Sequence, residues 1–140
     1  MKTTDMRSSL ISILTYGIIF LSVFSCATVP TEPLASGELR LLSMHVPMRE
    51  EIRLNFPFGV NINFEADGTP EIRTACFYFS GDGPYCVKVA DVNYGSPGTI
   101  RVQVRAKTTG THALESYVFY IQDGKTKRTN SVNCQIRIIP

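Results

Sequence analysis

The feature that most constrains this chain is a period of two in its apolar residues, sustained over most of the length after about residue 38. Successive side chains of an extended strand point to opposite faces, so such a run buries one face and leaves the other to water. Ile52, Leu54, Phe56, Phe58, Val60, Ile62 and Phe64 are apolar at alternate positions, with Arg53, Asn55, Asn61, Asn63 and Glu65 between them. Pro57 and Gly59 are expected to divide that run into two strands. Ile100, Val102, Val104 and Ala106 alternate with Arg101, Gln103, Arg105 and Lys107. Val132, Cys134, Ile136 and Ile138 alternate with Asn133, Gln135, Arg137 and Ile139. From Ser116 to Ile121 both faces carry large residues, Val118 and Tyr120 on one and Tyr117, Phe119 and Ile121 on the other, as expected of a central strand or an interface.

Turn chemistry separates the runs. Asp67-Gly68, Gly81-Asp82-Gly83, Gly95-Ser96-Pro97-Gly98 and Asp123-Gly124 offer positive φ or a fixed proline bend at low energy. Seven or eight strands follow, at about 38–46, 51–56, 58–66, 71–79, 85–90, 99–107, 113–122 and 127–139. Short strands at this spacing, without a convincing helix, predict an all-β antiparallel sandwich or barrel over residues 38–140. With 44% hydrophobic residues and a net charge of +2, the chain has enough apolar surface for a core and too little positive charge to mark a nucleic-acid binder.

The N-terminal segment must be set apart from the fold. Lys2 and Arg7 precede an apolar run from Leu10 to Phe24, which ends at Val23-Phe24-Ser25-Cys26. At about 15 residues the run is shorter than the roughly 20 of a transmembrane helix. Its order of charge, apolar run, small residue and Cys resembles the lipobox signal of bacterial lipoproteins. That resemblance implies a helical signal peptide over 1–25, cleavage before Cys26, and thioether attachment of diacylglycerol to Cys26, with acylation of the freed amine as a further step. Two or three acyl chains hold a soluble domain stably at a bilayer. Ala27, which is not Asp, implies transfer to the outer membrane, facing the periplasm, in a Gram-negative organism. Residues 26–37, with Pro30, Pro33 and small polar residues, read as a lipidated flexible tether. From Pro70 to Pro140, the succession of a strand ending near Gly110, a Tyr-rich strand, Asp123-Gly124 and an Ile-rich last strand resembles the closing half of bacterial immunoglobulin-like domains. An immunoglobulin-like sandwich is the fold this implies.

Secretion places the remaining cysteines, Cys76, Cys86 and Cys134, where disulfides persist. Centring a hairpin on Gly81 sets Cys76 opposite Cys86, Phe77 opposite Tyr85 and Ala75 opposite Val87, and opposed residues share a face. Ala75, Phe77, Phe79, Tyr85, Val87 and Val89 then form the apolar face. Both thiols lie on the other face, so a Cys76–Cys86 disulfide is expected. Cys134 is expected as a small buried residue, while a register shifted by one would instead allow it to bridge to Cys76 or Cys86.

Little else in the sequence points to chemistry. His45 and His112 lack neighbours at metal-ligand spacing, no Gly-x-Ser-x-Gly elbow occurs, and Glu50 and Glu51 would point to opposite faces of a strand. No enzyme, metal or cofactor is therefore expected. Asp67, Asp82, Asp91 and Asp123 fall in or near turns, without the Asp-x-Asp-x-Asp-Gly spacing of a calcium loop. Charge is unevenly divided: residues 26–96 carry five Lys or Arg and nine Asp or Glu, whereas residues 97–140 carry seven and two. Arg101, Arg105 and Lys107 on one strand, with Lys125, Lys127 and Arg128 near the last turn, would suit an anionic lipid or an acidic protein, or serve as a solubilising surface. The expected function is a non-catalytic, membrane-anchored lipoprotein whose sandwich presents a protein-interaction surface to an envelope partner. Two alternatives remain, a structural subunit of an envelope machine and a ligand-binding or inhibitor module.

Overall fold

A computed structural model of the chain describes residues 32–47 and 51–140. The signal peptide, Cys26, tether residues 26–31 and Glu50 lie outside the described residues. The rest is all-β: β1 (Leu39–His45), β2 (Ile52–Arg53), β3 (Pro57–Ala66), β4 (Ile72–Phe79), β5 (Asp82–Lys88), β6 (Asp91–Asn93), β7 (Gly98–Arg105), β8 (Gly110–Gln122), β9 (Lys125–Arg128) and β10 (Val132–Ile139). They form two sheets. One has the order β1-β3-β7-β6; the other runs β2-β10-β8-β4-β5, with β9 also paired to β8. All pairings are antiparallel except the short β2–β10 pair, which is parallel.

The two sheets enclose one hydrophobic cluster in a sandwich-like arrangement. Leu41, Val60, Ile62, Phe64 and Ile100 enter it from the four-stranded sheet, and Phe77, Leu114, Val118 and Ile138 from the other. Each such side chain contributes roughly 1.5–3 kcal/mol when fully buried. The alternation of the sequence maps onto this core along β3, where Phe58, Val60, Ile62 and Phe64 are buried. Strand β8 is central, flanked by β10 and β4, which explains its large residues on both faces.

The β4–β5 hairpin has the expected register, with Ala75 opposite Val87, Cys76 opposite Cys86 and Phe77 opposite Tyr85. Cys76 and Cys86 form a disulfide with an S–S distance of 2.02 Å across a sequence separation of 10. In the loop-entropy picture that closure contributes about 2–3 kcal/mol. It holds edge strand β5 to the sheet. Cys134 is free and half-buried against the core, not bridged to Cys76 or Cys86.

Three departures from the sequence reading have local causes. The described residues contain ten strands, not seven or eight. The run at 127–139 is two strands, because Thr129 leaves the ladder and pairs with Val118: its N–H donates to the Val118 carbonyl, and its Oγ1 accepts from the Val118 N–H at 2.9 Å. The run at 51–56 keeps only Ile52–Arg53 as strand. Asn55 adopts φ +63°, its N–H donates to the Ala106 carbonyl, and the Phe56 N–H donates to the Arg53 carbonyl. That turn throws Phe56 out of the core to 64% exposure, although alternation places it with Phe58. The strand break thus falls before Pro57, and Gly59 stays within β3 opposite Gln103. Finally, Asp91–Asn93 adds a short edge strand to β7.

Candidate functional site

Strand β3 gives the sandwich two poles. Its ten residues span about 30 Å, from Pro57 beside Arg105 at one end to Ala66 beside Leu39 at the other. Where the chain enters the sandwich, at the Leu39 pole, the Gly37 N–H donates to Asp67 Oδ2 and Gln122 Nε2 donates to the Ser36 carbonyl. Phe56 stands at the opposite pole.

The Phe56 pole is an apolar tip with a cationic rim. Phe56 and Pro57 are exposed, and Leu54 and Ile139 beside them are half-buried. The Leu54 N–H donates to the Ile139 carbonyl at 2.8 Å, which ties the turn to the last strand. Arg53 lies opposite Ile139, Arg105 opposite Pro57, and Lys107 follows the Ala106 that accepts from Asn55. Arg137 lies two residues before Ile139 on β10. All four cations are exposed, and none takes part in an ion pair among the described residues. Among the described residues of 51–57, 103–112 and 135–140 the one acid is Glu51.

A cleft of about 430 Å³ opens beside this pole, lined among others by Met44, His45, Glu51, Cys134 and Arg137. Burial pushes the Cys134 thiol above its ordinary range, so it stays protonated and apolar. Among the described residues no group of three or more His, Cys, Asp or Glu converges as a metal site.

The second notable surface is the outer face of the six-stranded sheet. Arg128, Phe119, Thr74 and Lys88 line up across β9, β8, β4 and β5, beside a row of Tyr117, Cys76 and Cys86. The Tyr117 ring packs edge-on to Phe119 at 5.5 Å between centroids and lies 6.1 Å from Tyr78. The Arg128 guanidinium sits 3.7 Å above the Tyr117 ring, a cation–π contact worth about 0.5–1 kcal/mol at an exposed site. These groups cover one another and leave Tyr117 only 5% exposed. Burial and a hydrogen bond with Tyr78 raise the Tyr117 pKa, against a lowering by Arg128.

The six basic residues singled out from the sequence are divided. Arg101 and Arg105 lie on β7 in the four-stranded sheet and Lys107 just past its end, while Lys125, Lys127 and Arg128 form β9 in the other sheet. Arg105 and Lys107 instead join Arg53 and Arg137 at the Phe56 pole. Sequence reasoning missed this grouping because Phe56 read as a core residue. It also gave no sign of the His112 contacts. Ser80 Oγ is 3.2 Å from His112 Nδ1, and His112 Nε2 lies 3.1 Å from the Thr108 carbonyl oxygen. Ser80 takes φ +50° in the two-residue turn between β4 and β5, so this network ties the hairpin tip to the β7–β8 link. The nearby Asp82 accepts from the Tyr85 hydroxyl at 2.7 Å, and no carboxylate of the described residues hydrogen-bonds the imidazole. Of the other turn acids, Asp67 holds Gly37, Asp91 lies opposite Arg101 in the β6–β7 backbone register, and Asp123 occupies a positive-φ turn position.

Comparison with protein-family models, with curated proteins and with solved structures yields no match.

Proposed function

We propose that this chain is a non-catalytic lipoprotein of the bacterial cell envelope, anchored through Cys26 and presenting an immunoglobulin-like sandwich as a protein-interaction surface. The observation that carries the interaction reading is Phe56. It is a large apolar side chain, 64% exposed, held by a turn whose backbone is hydrogen-bonded on both sides, in a domain whose core is otherwise closed. The anchoring reading is supported by the order of charge, apolar run, Ser25 and Cys26, followed by a proline-containing segment that ends where the sandwich begins. Ala27 supports the periplasmic face of the outer membrane. The immunoglobulin-like reading is supported by two sheets around one core, with the Tyr-rich β8 central and the Ile-rich β10 beside it. Recruitment is the mechanism. Acyl chains confine the domain to a thin layer, which raises its effective concentration for partners in that layer.

The test is the intact mass of the protein extracted from its own membranes, with thiols alkylated in denaturant before and after reduction. The expected mass begins at Cys26 and includes acyl chains. One thiol, Cys134, reacts before reduction, and three react after it. A mass without acyl chains makes the protein a secreted soluble one, and the anchoring mechanism is then abandoned.

A further inference from the structure

We infer that the Arg53–Pro57 turn is a docking knob for an acidic partner protein, with Phe56 entering an apolar slot while Arg53, Arg105, Lys107 and Arg137 meet carboxylates around it. The inference deepens the reading of the sandwich as an interaction module and rests on that part of it; its choice of a protein over lipid headgroups also takes the tether at the Gly37 end from that reading. The arrangement is an exposed aromatic anchor with arginines around it, both residue types enriched at protein interfaces relative to the rest of the surface. Phe56 is presented and not merely frayed. Its own N–H is bonded to the Arg53 carbonyl, Asn55 is bonded to Ala106, and Leu54 to Ile139, so little ordering entropy remains to be lost on docking.

Charge selects the partner. Four exposed cations without ion pairs face Glu51 alone among the described acids of these segments, so the surrounding potential attracts a negatively charged surface. Three of the four are arginines, whose planar forks take carboxylates in bidentate geometry. The pole lies about 30 Å along β3 from the end at which Gly37 enters the sandwich. A tethered domain can therefore hold this tip away from its own bilayer, which favours a protein over the lipid headgroups beneath. The other large exposed aromatics among the described residues are already engaged. Tyr85 donates to Asp82, and Tyr94 donates to the Pro70 carbonyl while packing edge-on to Phe64.

The experiment uses the full-length chain in its own cells, with photoreactive benzoylphenylalanine placed at position 56 and, as a control at a less exposed aromatic, at position 94. After irradiation the adducts are purified under denaturing conditions and mapped by mass spectrometry. The expected result is a protein adduct at position 56 whose attached peptide is rich in Asp and Glu. Its yield falls at least fivefold with Arg105→Glu and Lys107→Glu together, and changes less than twofold with Lys107→Arg, which keeps the charge. Thermal melts of these variants should match the parent, since every altered side chain is exposed. An adduct to phospholipid or lipopolysaccharide, an adduct to a second copy of this chain, a protein adduct indifferent to charge reversal, or a yield no higher than at position 94 would each overturn the inference. The intact-mass measurement reads the anchor separately, so loss of the anchor and loss of the docking knob are distinguishable.

Discussion

The side-chain amide of Asn130 hydrogen-bonds both backbone groups of Leu41: the Leu41 N–H donates to Asn130 Oδ1, and Asn130 Nδ2 donates to the Leu41 carbonyl, each at 2.9 Å. Leu41 lies on β1 of the four-stranded sheet and Asn130 in the loop between β9 and β10 of the other, 89 positions apart in sequence. One side chain thus stands in for a strand partner along the open edge of β1, next to the bulge between Leu41 and Ser43. An exposed strand edge invites pairing with other chains, so the same contact closes an edge and joins two sheets.

Asn130→Ala should therefore be more damaging than its loop position suggests. It strands a donor and an acceptor of a fully buried residue, each such loss costing roughly 1–3 kcal/mol. We expect a loss of about 2–3 kcal/mol in urea unfolding, read as a lower midpoint at unchanged slope. A change under about 0.5 kcal/mol, the range of ordinary surface substitutions, would mean that water replaces the amide and that the edge does not need it.

Gly98 is a packing requirement. It lies opposite Phe64 in the β3–β7 pair, and a Cβ at this position would stand 2.3 Å from the Phe64 ring. The ring cannot easily yield, since it is buried in the core and Tyr94 packs edge-on to it at 5.8 Å. Gly98→Ala is expected to cost about 2–3 kcal/mol through overpacking. Combining it with Phe64→Leu should cost less than the sum of the two single changes, and a double-mutant cycle measures the difference. Strict additivity would show that the ring moves aside freely.

How much of this was legible in the sequence follows the range of the contacts. The β4–β5 register could be read from Thr74 to Phe77 because Gly81 marks the turn and alternation then assigns those neighbours, Cys76 and Cys86 included; past Phe77 a register shift, which alternation does not foresee, sets Phe79 opposite Asp82. The core positions of β3 and β7 could be read for the same reason. The break at Thr129–Asn130 could not, because both residues tolerate extended backbone and their partners, Val118 and Leu41, are fixed only by the tertiary fold. Phe56 was misread for a related reason. Period two cannot register that Asn55 leaves the strand region, and one reversed residue is enough to turn a side chain from core to solvent. The cationic rim was invisible in turn, since Arg53, Arg105, Lys107 and Arg137 come from three separate segments.

Ser116 should give the opposite result to Asn130. Its hydroxyl is buried on β8 with no hydrogen-bond partner among the described residues. An unsatisfied buried hydroxyl costs free energy, so Ser116→Ala should leave stability unchanged or raise it by up to about 1 kcal/mol. Thr129→Val is the contrasting case. It removes the Oγ1 that accepts the Val118 N–H and should destabilise by about 1–3 kcal/mol. Thermal melts of the two variants, read side by side, check both signs. A destabilised Ser116→Ala would indicate that the hydroxyl is satisfied after all.

Cys134 gives the pH prediction. Burial raises its pKa in the folded chain above the ordinary 9.0, so the unfolded chain loses this proton first as pH rises. At pH well below 9 both states keep the proton and the thiol contributes no pH dependence. Above that value the folded state binds more protons than the unfolded one, and stability falls with rising pH until the folded pKa is passed. Urea midpoints measured from pH 7.5 to 10.5 should therefore decline more steeply for the parent than for Cys134→Ala, which lacks the group. The same shift slows alkylation of the native thiol by iodoacetamide relative to the unfolded chain at equal pH, because the thiolate is the reacting species. Equal midpoint slopes in the two proteins, with native alkylation as fast as unfolded, would place the Cys134 thiol in water and not against Ile136 and its neighbours.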